Sequence, residues 1–186
     1  MSLSYNILTK VFKWKIVGHF PDIQKSVTIF APHTSYLDAL YGMLFGMAEK
    51  VNMKYLIKKT FFWFPLNLIL RALNAIPVQG VKGHNAIYEA VDLLQKEDVH
   101  VLISPEGAMA ARPKWNKGFL LMARKANVPI VVGYLDFKKK ELGVKGVIED
   151  ISDDKEVMRQ INEYYKDVTA KHPDQFVLDT RDGFDK

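Results

Sequence analysis

The chain has 186 residues, 48% of them hydrophobic and 25% charged, which is enough for one buried core and excludes a small disulfide-stapled scaffold. It contains no cysteine, which excludes disulfides, thiolate metal sites and a cysteine nucleophile. The formal net charge of +5 is uneven, because residues 1–149 are basic and residues 150–186 are acidic. A basic surface attracts the phosphates of nucleic acid, of an anionic membrane or of an acidic carrier protein.

The N-terminal segment, residues 1–25, carries an amphipathic pattern interrupted by three lysines, so we expect no secretion signal. One side of a short helix here would present Ile7, Leu8, Val11, Phe12 and Trp14. Such a helix either lies in a membrane interface or packs on its own domain. The longest apolar stretches, residues 39–48 and 61–70, are about half the roughly 20 residues that a membrane span needs, so we expect no span.

From residue 26 onward, strand-forming and helix-forming segments alternate. The predicted strands cover residues 26–31, 54–57, 75–78, 99–103, 129–137 and 143–148. The predicted helices cover residues 36–49, a Phe/Leu-rich segment between the second and third strands, a segment beginning at Gly83, and residues 117–126 and 154–170. This alternation predicts an α/β fold with a mostly parallel mixed sheet flanked by helices. We expect a single domain over residues 1–186, with a catalytic motif region at 26–135 and an acidic C-terminal helix and tail at 150–186.

The segment between the first predicted strand and helix places His33 five residues before Asp38. If Ser35 caps the helix, Asp38 occupies its third position and can fold back toward His33. The carboxylate would then hold one imidazole nitrogen and leave the other free to accept a proton. The alternative is that Ser35 and Asp38 only cap a helix and that His33 bonds a turn.

A second polar segment, Pro105-Glu106-Gly107, also follows a predicted strand directly. The carboxyl ends of parallel strands meet at one edge of a sheet, so this segment can reach His33. Gly107 permits close backbone approach or positive φ, and Glu106 could bind a hydroxyl or a cation. The alternative is a surface turn with a solvated glutamate.

Together these segments resemble the glycerolipid acyltransferase family, which contains glycerol-3-phosphate and 1-acylglycerol-3-phosphate O-acyltransferases. The four blocks of that family correspond, in order, to His33–Asp38, to Lys58 with Ile76-Pro77-Val78, to Pro105-Glu106-Gly107 and to Val128-Pro129-Ile130-Val131. Order and spacing agree, and the resemblance spans roughly residues 26–135. It implies a glycerolipid acyltransferase-like fold.

The resemblance also implies an O-acyltransferase of phospholipid biosynthesis. Such an enzyme moves a fatty acyl chain from acyl-CoA or acyl carrier protein to a lysolipid hydroxyl, here 1-acylglycerol-3-phosphate. His33 would be the catalytic base and Asp38 its orienter, with no acyl-enzyme intermediate. The resemblance implies Lys58, Glu106, Gly107 and Ala108 as substrate-binding residues, and we expect Arg112 and Lys117 to join them as nearby cations. We expect no cofactor beyond the acyl donor and no metal, because the other histidines lie in no ligand spacing.

Two departures from the family pattern concern the head group of the acceptor. The second block usually ends in an arginine where this chain has Val78-Gln79-Gly80, and the third reads Glu106-Gly107-Ala108-Met109 where the family usually has Glu-Gly-Thr-Arg. The nearby cations that could replace them are Lys82, Arg112, Lys114 and Lys117. A lyso-aminolipid, or another lysolipid without a phosphate monoester, is therefore the alternative acceptor.

The expected partners are the lysolipid, the acyl donor and a membrane surface, with no nucleic acid. We expect a cytoplasmic protein that associates peripherally with the membrane. The aromatic run at residues 61–64 either lines an acyl groove, touches lipid or packs in the core. A non-catalytic lipid-binding protein remains a second functional class, although the presence of both His33 and Asp38 argues against it.

Overall fold

The computed structural model describes residues 2–78 and 84–180, with only the backbone of residues 84 and 85. Its strands are β1 (Lys15–Ile16), β2 (Ser26–Ala31), β3 (Met53–Lys58), β4 (Ala75–Val78), β5 (His100–Ile103), β6 (Ile130–Asp136) and β7 (Glu141–Ile148). Its α-helices are α1 (Leu3–Asn6), α2 (Tyr36–Ala48), α3 (Leu66–Ala72), α4 (His84–Lys96), α5 (Gly118–Ala126) and α6 (Asp154–Tyr165). A π-helical turn follows α1, and short 3₁₀ turns follow β3 and precede residue 176.

The seven strands form one sheet in the order β1-β7-β6-β2-β5-β3-β4. Only the β6–β7 pair is antiparallel within this sheet. The predicted α/β fold with a mostly parallel mixed sheet is therefore confirmed. All six residues of β2 are buried, as is typical of a central parallel strand covered on both faces.

Helices cover both faces of the sheet. On one face, α4, α5 and α6 pack against the side chains of Val27, Ile29 and Ala31 from β2. On the other face, the N-terminal segment, α2 and α3 cover Phe30 and the neighbouring strands. Successive β2 side chains point to opposite faces, so each layer receives every second residue.

The N-terminal segment packs mainly on its own domain. Leu8 and Trp14 are fully or almost fully buried and contact Tyr41 and Phe45 of α2. Val11 remains exposed on this segment. The amphipathic pattern thus reflects core packing for its largest side chains.

The last helix is shorter than the predicted 154–170, because it ends at Tyr165. The Val168 N–H donates to the Tyr165 carbonyl in a turn, and the Phe137 N–H donates to the Thr169 carbonyl at 2.9 Å. These bonds lead the chain toward the carboxyl end of β6. The predicted start of α4 at Gly83 and the last six residues of the predicted acidic tail lie outside the described residues.

Candidate active site at the carboxyl ends of the parallel strands

The two polar segments singled out in the sequence meet at one edge of the sheet. Strands β2 and β5 are parallel neighbours, with Ile29 paired to Ile103. His33 follows the end of β2, and Ser104 to Gly107 follow the end of β5. Lys58 closes β3, the neighbour of β5 on its other side. Open α/β sheets place ligands at such an edge.

The start of α2 is built around Asp38, as the capping pattern predicts. The Ser35 side chain accepts a hydrogen bond from the Leu37 N–H at 3.2 Å. Oδ2 of Asp38 accepts from the Ser35 N–H at 2.8 Å and from the Thr34 N–H at 2.6 Å. Asp38 thereby fixes the backbone of the turn that carries His33.

The His33 imidazole does not form a hydrogen bond with the Asp38 carboxylate in this structure. Among the described residues, no hydrogen bond joins the His33 ring to Asp38, and the second oxygen, Oδ1, is buried without a partner. Burial raises the pKa of Asp38, while the two backbone N–H groups and the charges of Lys171 and His172 lower it. A buried acceptor without a donor is costly, so Oδ1 is available to an imidazole that turns toward it.

His33 is partly buried, and burial lowers its pKa from the usual value. A lower pKa keeps the imidazole neutral at pH 7, which is the form that accepts a proton. Its backbone N–H donates to Oε1 of Glu106 at 2.8 Å, 73 residues further along the chain. Two carboxylates therefore hold the turn that carries His33: Glu106 through the His33 N–H, and Asp38 through the next two N–H groups.

Glu106 is a buried link between the two segments and not a solvated turn residue. Only 5% of it is exposed, and its Oε2 accepts a hydrogen bond from the Ser104 hydroxyl at 2.7 Å. Burial is the main cause that raises the pKa of Glu106 to about 7, and the charge of Asp38 adds to this effect. Both oxygens are engaged by protein donors, so the carboxylate positions His33 in this structure.

The loop after Glu106 is shaped by a glycine and an asparagine. Gly107 has φ of +69°, a left-handed conformation that a side chain would strain. The Asn116 N–H donates to the Pro105 carbonyl at 2.8 Å, and the Asn116 side chain caps the start of α5 through the Gly118 N–H. These bonds close the loop that contains Ala108 and Arg112.

An open pocket lies beside this loop and has a volume of about 290 Å³. Its walls are Glu106, Arg112, Lys114 and Asn116. Arg112 and Lys114 are exposed, and neither forms an ion pair with a described carboxylate. Two cations without ion pairs among the described residues, beside a pocket that reaches Glu106, fit an anionic ligand.

Two other residues predicted to bind the substrate, Lys117 and Lys58, have different surroundings. Lys117 forms an ion pair with Asp154 of α6 at 3.4 Å, in a separate pocket that also contains Arg124. Lys58 is exposed at the end of β3. Lys82, Gln79 and Gly80 lie outside the described residues. The structure thus groups His33, Asp38 and Glu106 closely, and it places Lys117 in a different pocket.

Sequence reasoning missed Lys171 and His172, which approach the site from the segment after α6. The His172 N–H donates to the Thr34 hydroxyl at 3.3 Å, and Nζ of Lys171 lies 3.5 Å from the Ser35 hydroxyl. Neither residue lies in an element with a periodic pattern, and more than 130 residues separate them from their partners. No local signal could have identified them.

A group of exposed apolar side chains lies next to the site. The Tyr36 ring meets the Phe61 ring with centroids 6.0 Å apart, which connects the start of α2 to the segment after β3. That segment and α3 expose Trp63 and Phe64, of which 59% and 76% are accessible, together with Leu68 and Ile69. We call Tyr36, Trp63, Phe64, Leu68 and Ile69 the apolar rim.

Two classes of feature are absent from the part of the chain that the structure describes. No group of three or more histidine, aspartate and glutamate side chains there could hold a metal ion. None of the described helices is long and apolar enough to cross a membrane.

Comparisons with known proteins agree with this architecture. A family model described as Acyltransferase matches residues 15–134, more than half of the chain. The crystal structure of the 1-acyl-sn-glycerophosphate (LPA) acyltransferase PlsC from Thermotoga maritima is similar, with a TM-score of 0.61 and 17% sequence identity. The similarity covers 86% of this chain and 72% of that one, and at this identity it concerns the fold. No curated protein sequence matches the chain significantly.

Proposed function

Because the chain belongs to the Acyltransferase family, we propose that it moves a fatty acyl chain from an acyl thioester to the hydroxyl of a lysolipid. The proposed donor is acyl-CoA or acyl carrier protein, and the proposed acceptor is 1-acylglycerol-3-phosphate. The similar PlsC fold belongs to an acyltransferase for that class of acceptor. The donor is a substrate, so the proposal includes no resident cofactor.

The observation that carries the proposal is a partly buried histidine whose turn is held by two buried carboxylates through backbone N–H groups. His33 has a lowered pKa, Glu106 holds its backbone, and Asp38 leaves one buried oxygen without a partner. In the proposed arrangement, the neutral imidazole turns toward Asp38, and the carboxylate orients it as a general base. In the proposed mechanism, a ring N–H of protonated His33 donates to Oδ1 of Asp38. The carboxylate then stabilises the positive charge that develops on the imidazole during transfer.

In the proposed reaction, one ring nitrogen of His33 takes the proton of the acceptor hydroxyl. The acceptor oxygen attacks the thioester carbon, forms the ester bond and gives a tetrahedral oxyanion. When this intermediate collapses, the carbon–sulfur bond breaks and the departing thiolate takes the proton from the imidazolium. Protons balance within one cycle, and no acyl-enzyme is required.

The acceptor phosphate is proposed to bind in the pocket lined by Arg112 and Lys114. Arginine binds phosphate oxygens in a fork, while lysine supplies a point charge. Lys58, at the end of β3, faces the same edge of the sheet from the other side of β5. Lys117 is not assigned to this phosphate because it lines another pocket, where it pairs with Asp154 at 3.4 Å.

The second candidate acceptor is a lysolipid without a phosphate monoester, such as a lyso-aminolipid. The observation that favours it is the pair Ala108-Met109, which offers neither a hydroxyl nor a cation directly after Gly107. The cations of the pocket come instead from Arg112 and Lys114, further along an exposed loop.

We also propose that the apolar rim rests on a cytoplasmic membrane surface. Trp63 and Phe64 are exposed, and Lys58, Lys59 and Arg71 lie close to them in sequence. Aromatic side chains beside cations favour the interface of an anionic bilayer. The rim borders the start of α2, so a docked enzyme would meet its lipid acceptor at the site.

Acyl transfer is tested by mass spectrometry with purified protein, both donors and a panel of acceptors. The panel contains lysophosphatidic acid, monoacylglycerol and a lyso-aminolipid, and His33→Ala is run beside the wild type. A diacyl product that depends on His33 supports the proposal and identifies the acceptor. Lipid binding without any product, by folded protein, would favour the non-catalytic lipid-binding alternative.

Docking is tested by sedimentation with vesicles of phosphatidylcholine and phosphatidylglycerol. The variant Trp63→Ser/Phe64→Ser should lose most binding, while Tyr88→Ser, an exposed aromatic on α4, should not. Equal loss in both variants, or none in either, would contradict a role for the apolar rim.

A further inference from the structure

The segment after α6 passes over the turn that carries His33. The Phe137 N–H at the end of β6 donates to the Thr169 carbonyl at 2.9 Å, which anchors the segment to the sheet. The His172 N–H then donates to the Thr34 hydroxyl at 3.3 Å. Lys171 lies between these two anchors, and its Nζ is 3.5 Å from the Ser35 hydroxyl.

Lys171 is an exposed cation without an ion pair in the part of the chain that the structure describes. No described carboxylate lies within ion-pair distance of its Nζ. Other lysines of this region do have such partners: Lys166 pairs with Glu163, and Lys139 with Asp136. An ammonium group beside the N-terminus of the 13-residue helix α2, with no ion-pair partner among the described residues, is suited to bind an anion.

The place of Lys171 relative to His33 completes the argument. Glu106 and the pocket of Arg112 and Lys114 approach His33 from the β5 side. Lys171 approaches Ser35 from the β6 side, and its charge is close enough to influence Asp38. A substrate at His33 would therefore have cations on both sides.

We propose that Lys171 binds a phosphate group of the substrate beside His33, on the side opposite Arg112 and Lys114. The proposal rests on the proposed acyl transfer. The phosphate belongs either to the acceptor, as a monoester, or to the donor, as part of coenzyme A or of a phosphopantetheine arm. Lysine serves either source, since a phosphate needs charge and donors without a fixed fork geometry.

The kinetic test compares wild type, Lys171→Met, Lys171→Arg and the control Lys166→Met. Lysophosphatidic acid and monoacylglycerol serve as acceptors, and acyl-CoA and an acyl N-acetylcysteamine thioester, which has no phosphate, serve as donors. Lys171→Met should raise KM about fivefold for one phosphate-bearing substrate, with kcat unchanged. Lys171→Arg should restore most of the affinity, and Lys166→Met should match the wild type.

The arms of this experiment distinguish the two sources. A KM change confined to lysophosphatidic acid assigns the acceptor phosphate, and one confined to acyl-CoA assigns the donor phosphate. Equal changes with the phosphate-free pair would overturn the proposal. So would a lower kcat together with a shifted pH profile, because Lys171 would then act through Asp38.

A binding measurement separates failure of this proposal from failure of the proposed function. Glycerol 3-phosphate and glycerol are titrated into the ¹⁵N-labelled full chain, and amide shifts of residues 34, 35 and 171 are followed by NMR. Shifts with glycerol 3-phosphate alone, weakened in Lys171→Met, would support phosphate binding even if no acceptor were turned over. Identical titrations of wild type and Lys171→Met would contradict it.

Discussion

The candidate site consists of two regions that the chain builds in opposite ways. Around His33, the charged groups are carboxylates, buried and hydrogen-bonded to backbone and side-chain donors: Asp38 is 2% exposed and Glu106 is 5% exposed. At the exposed border of the site, the charged groups are the cations Arg112, Lys114 and Lys171, which have no carboxylate partner among the described residues. We call these three residues the exposed cations.

This difference separates chemistry from recognition. The buried region is preorganised, because its hydrogen bonds form before any substrate arrives. The three exposed cations have no carboxylate partner among the described residues, so their charges are available to a ligand anion. Substitutions in the buried region should therefore alter kcat and stability, whereas substitutions of the exposed cations should alter KM.

The largest effect should come from His33→Ala. Removal of the base should lower kcat about 10²–10⁴-fold, the usual contribution of a general base. The melting temperature should change little, because the side chain is only partly buried. Steady-state rates and thermal unfolding measure both effects, with His19→Ala, an exposed histidine paired with Glu49, as control. A variant that retains most of its activity would remove His33 from this role.

Asp38→Asn should have the next largest effect. The amide can still accept from the Ser35 N–H, but it lacks the charge that stabilises an imidazolium, so kcat should fall roughly 10²-fold. Asp38→Ala should in addition lose the cap, at about 1 kcal/mol of unfolding free energy. Kinetics and urea unfolding of the two variants separate these contributions. Equal kcat in wild type and Asp38→Asn would show that Asp38 only caps the helix.

Glu106→Gln should change how stability depends on pH. Burial raises the pKa of Glu106 to about 7, so the folded state holds its proton more tightly than the unfolded state. Wild-type stability from this group is therefore complete below its unfolded pKa and is lost as the pH rises toward 7. Relative to wild type, Glu106→Gln should gain up to about 3 kcal/mol between pH 4.5 and pH 8. Urea unfolding at several pH values measures the difference in unfolding free energy. If that free energy depended on pH in the same way in both proteins, a raised pKa for Glu106 would be contradicted.

The smallest effects should come from Arg112→Met and Lys114→Met, two of the exposed cations. Each should raise KM for a phosphate-bearing acceptor about 2- to 5-fold without changing kcat, since single exposed charges contribute little. Lys125→Met, on the last turn of α5, is the control. A change in kcat with unaltered KM would mean that these cations take part in the chemical step and not in binding.

The sequence predicted the parts of the site that depend on local rules. Alternating strands and helices gave the parallel sheet, and the Ser35–Asp38 spacing gave the helix cap. The bond between Glu106 and the His33 N–H could not be predicted as such, because its partners are 73 residues apart. The sequence suggested only that the two segments share an edge of the sheet.

Other features depended on tertiary contacts that no local pattern reports. The ion pair between Lys117 and Asp154 of α6 joins residues 37 positions apart, and the predicted role of Lys117 in substrate binding stays a prediction. The last helix was expected to reach residue 170, yet bonds from Val168 and Thr169 end it early and lead Lys171 to the site. An apolar periodicity continued past the end of the helix, so it could not mark that end.

The central claim, that neutral His33 is the base, is tested most directly by the pH dependence of kcat/KM. The assay uses an acceptor without a group that titrates between pH 5 and 8, and it compares wild type with Glu106→Gln. Because burial lowers the pKa of His33 below 6.5, activity should rise with pH to half its maximum below pH 6.5 in both proteins. A midpoint near pH 7 that disappears in Glu106→Gln would instead assign the titrating group to Glu106 and contradict the account.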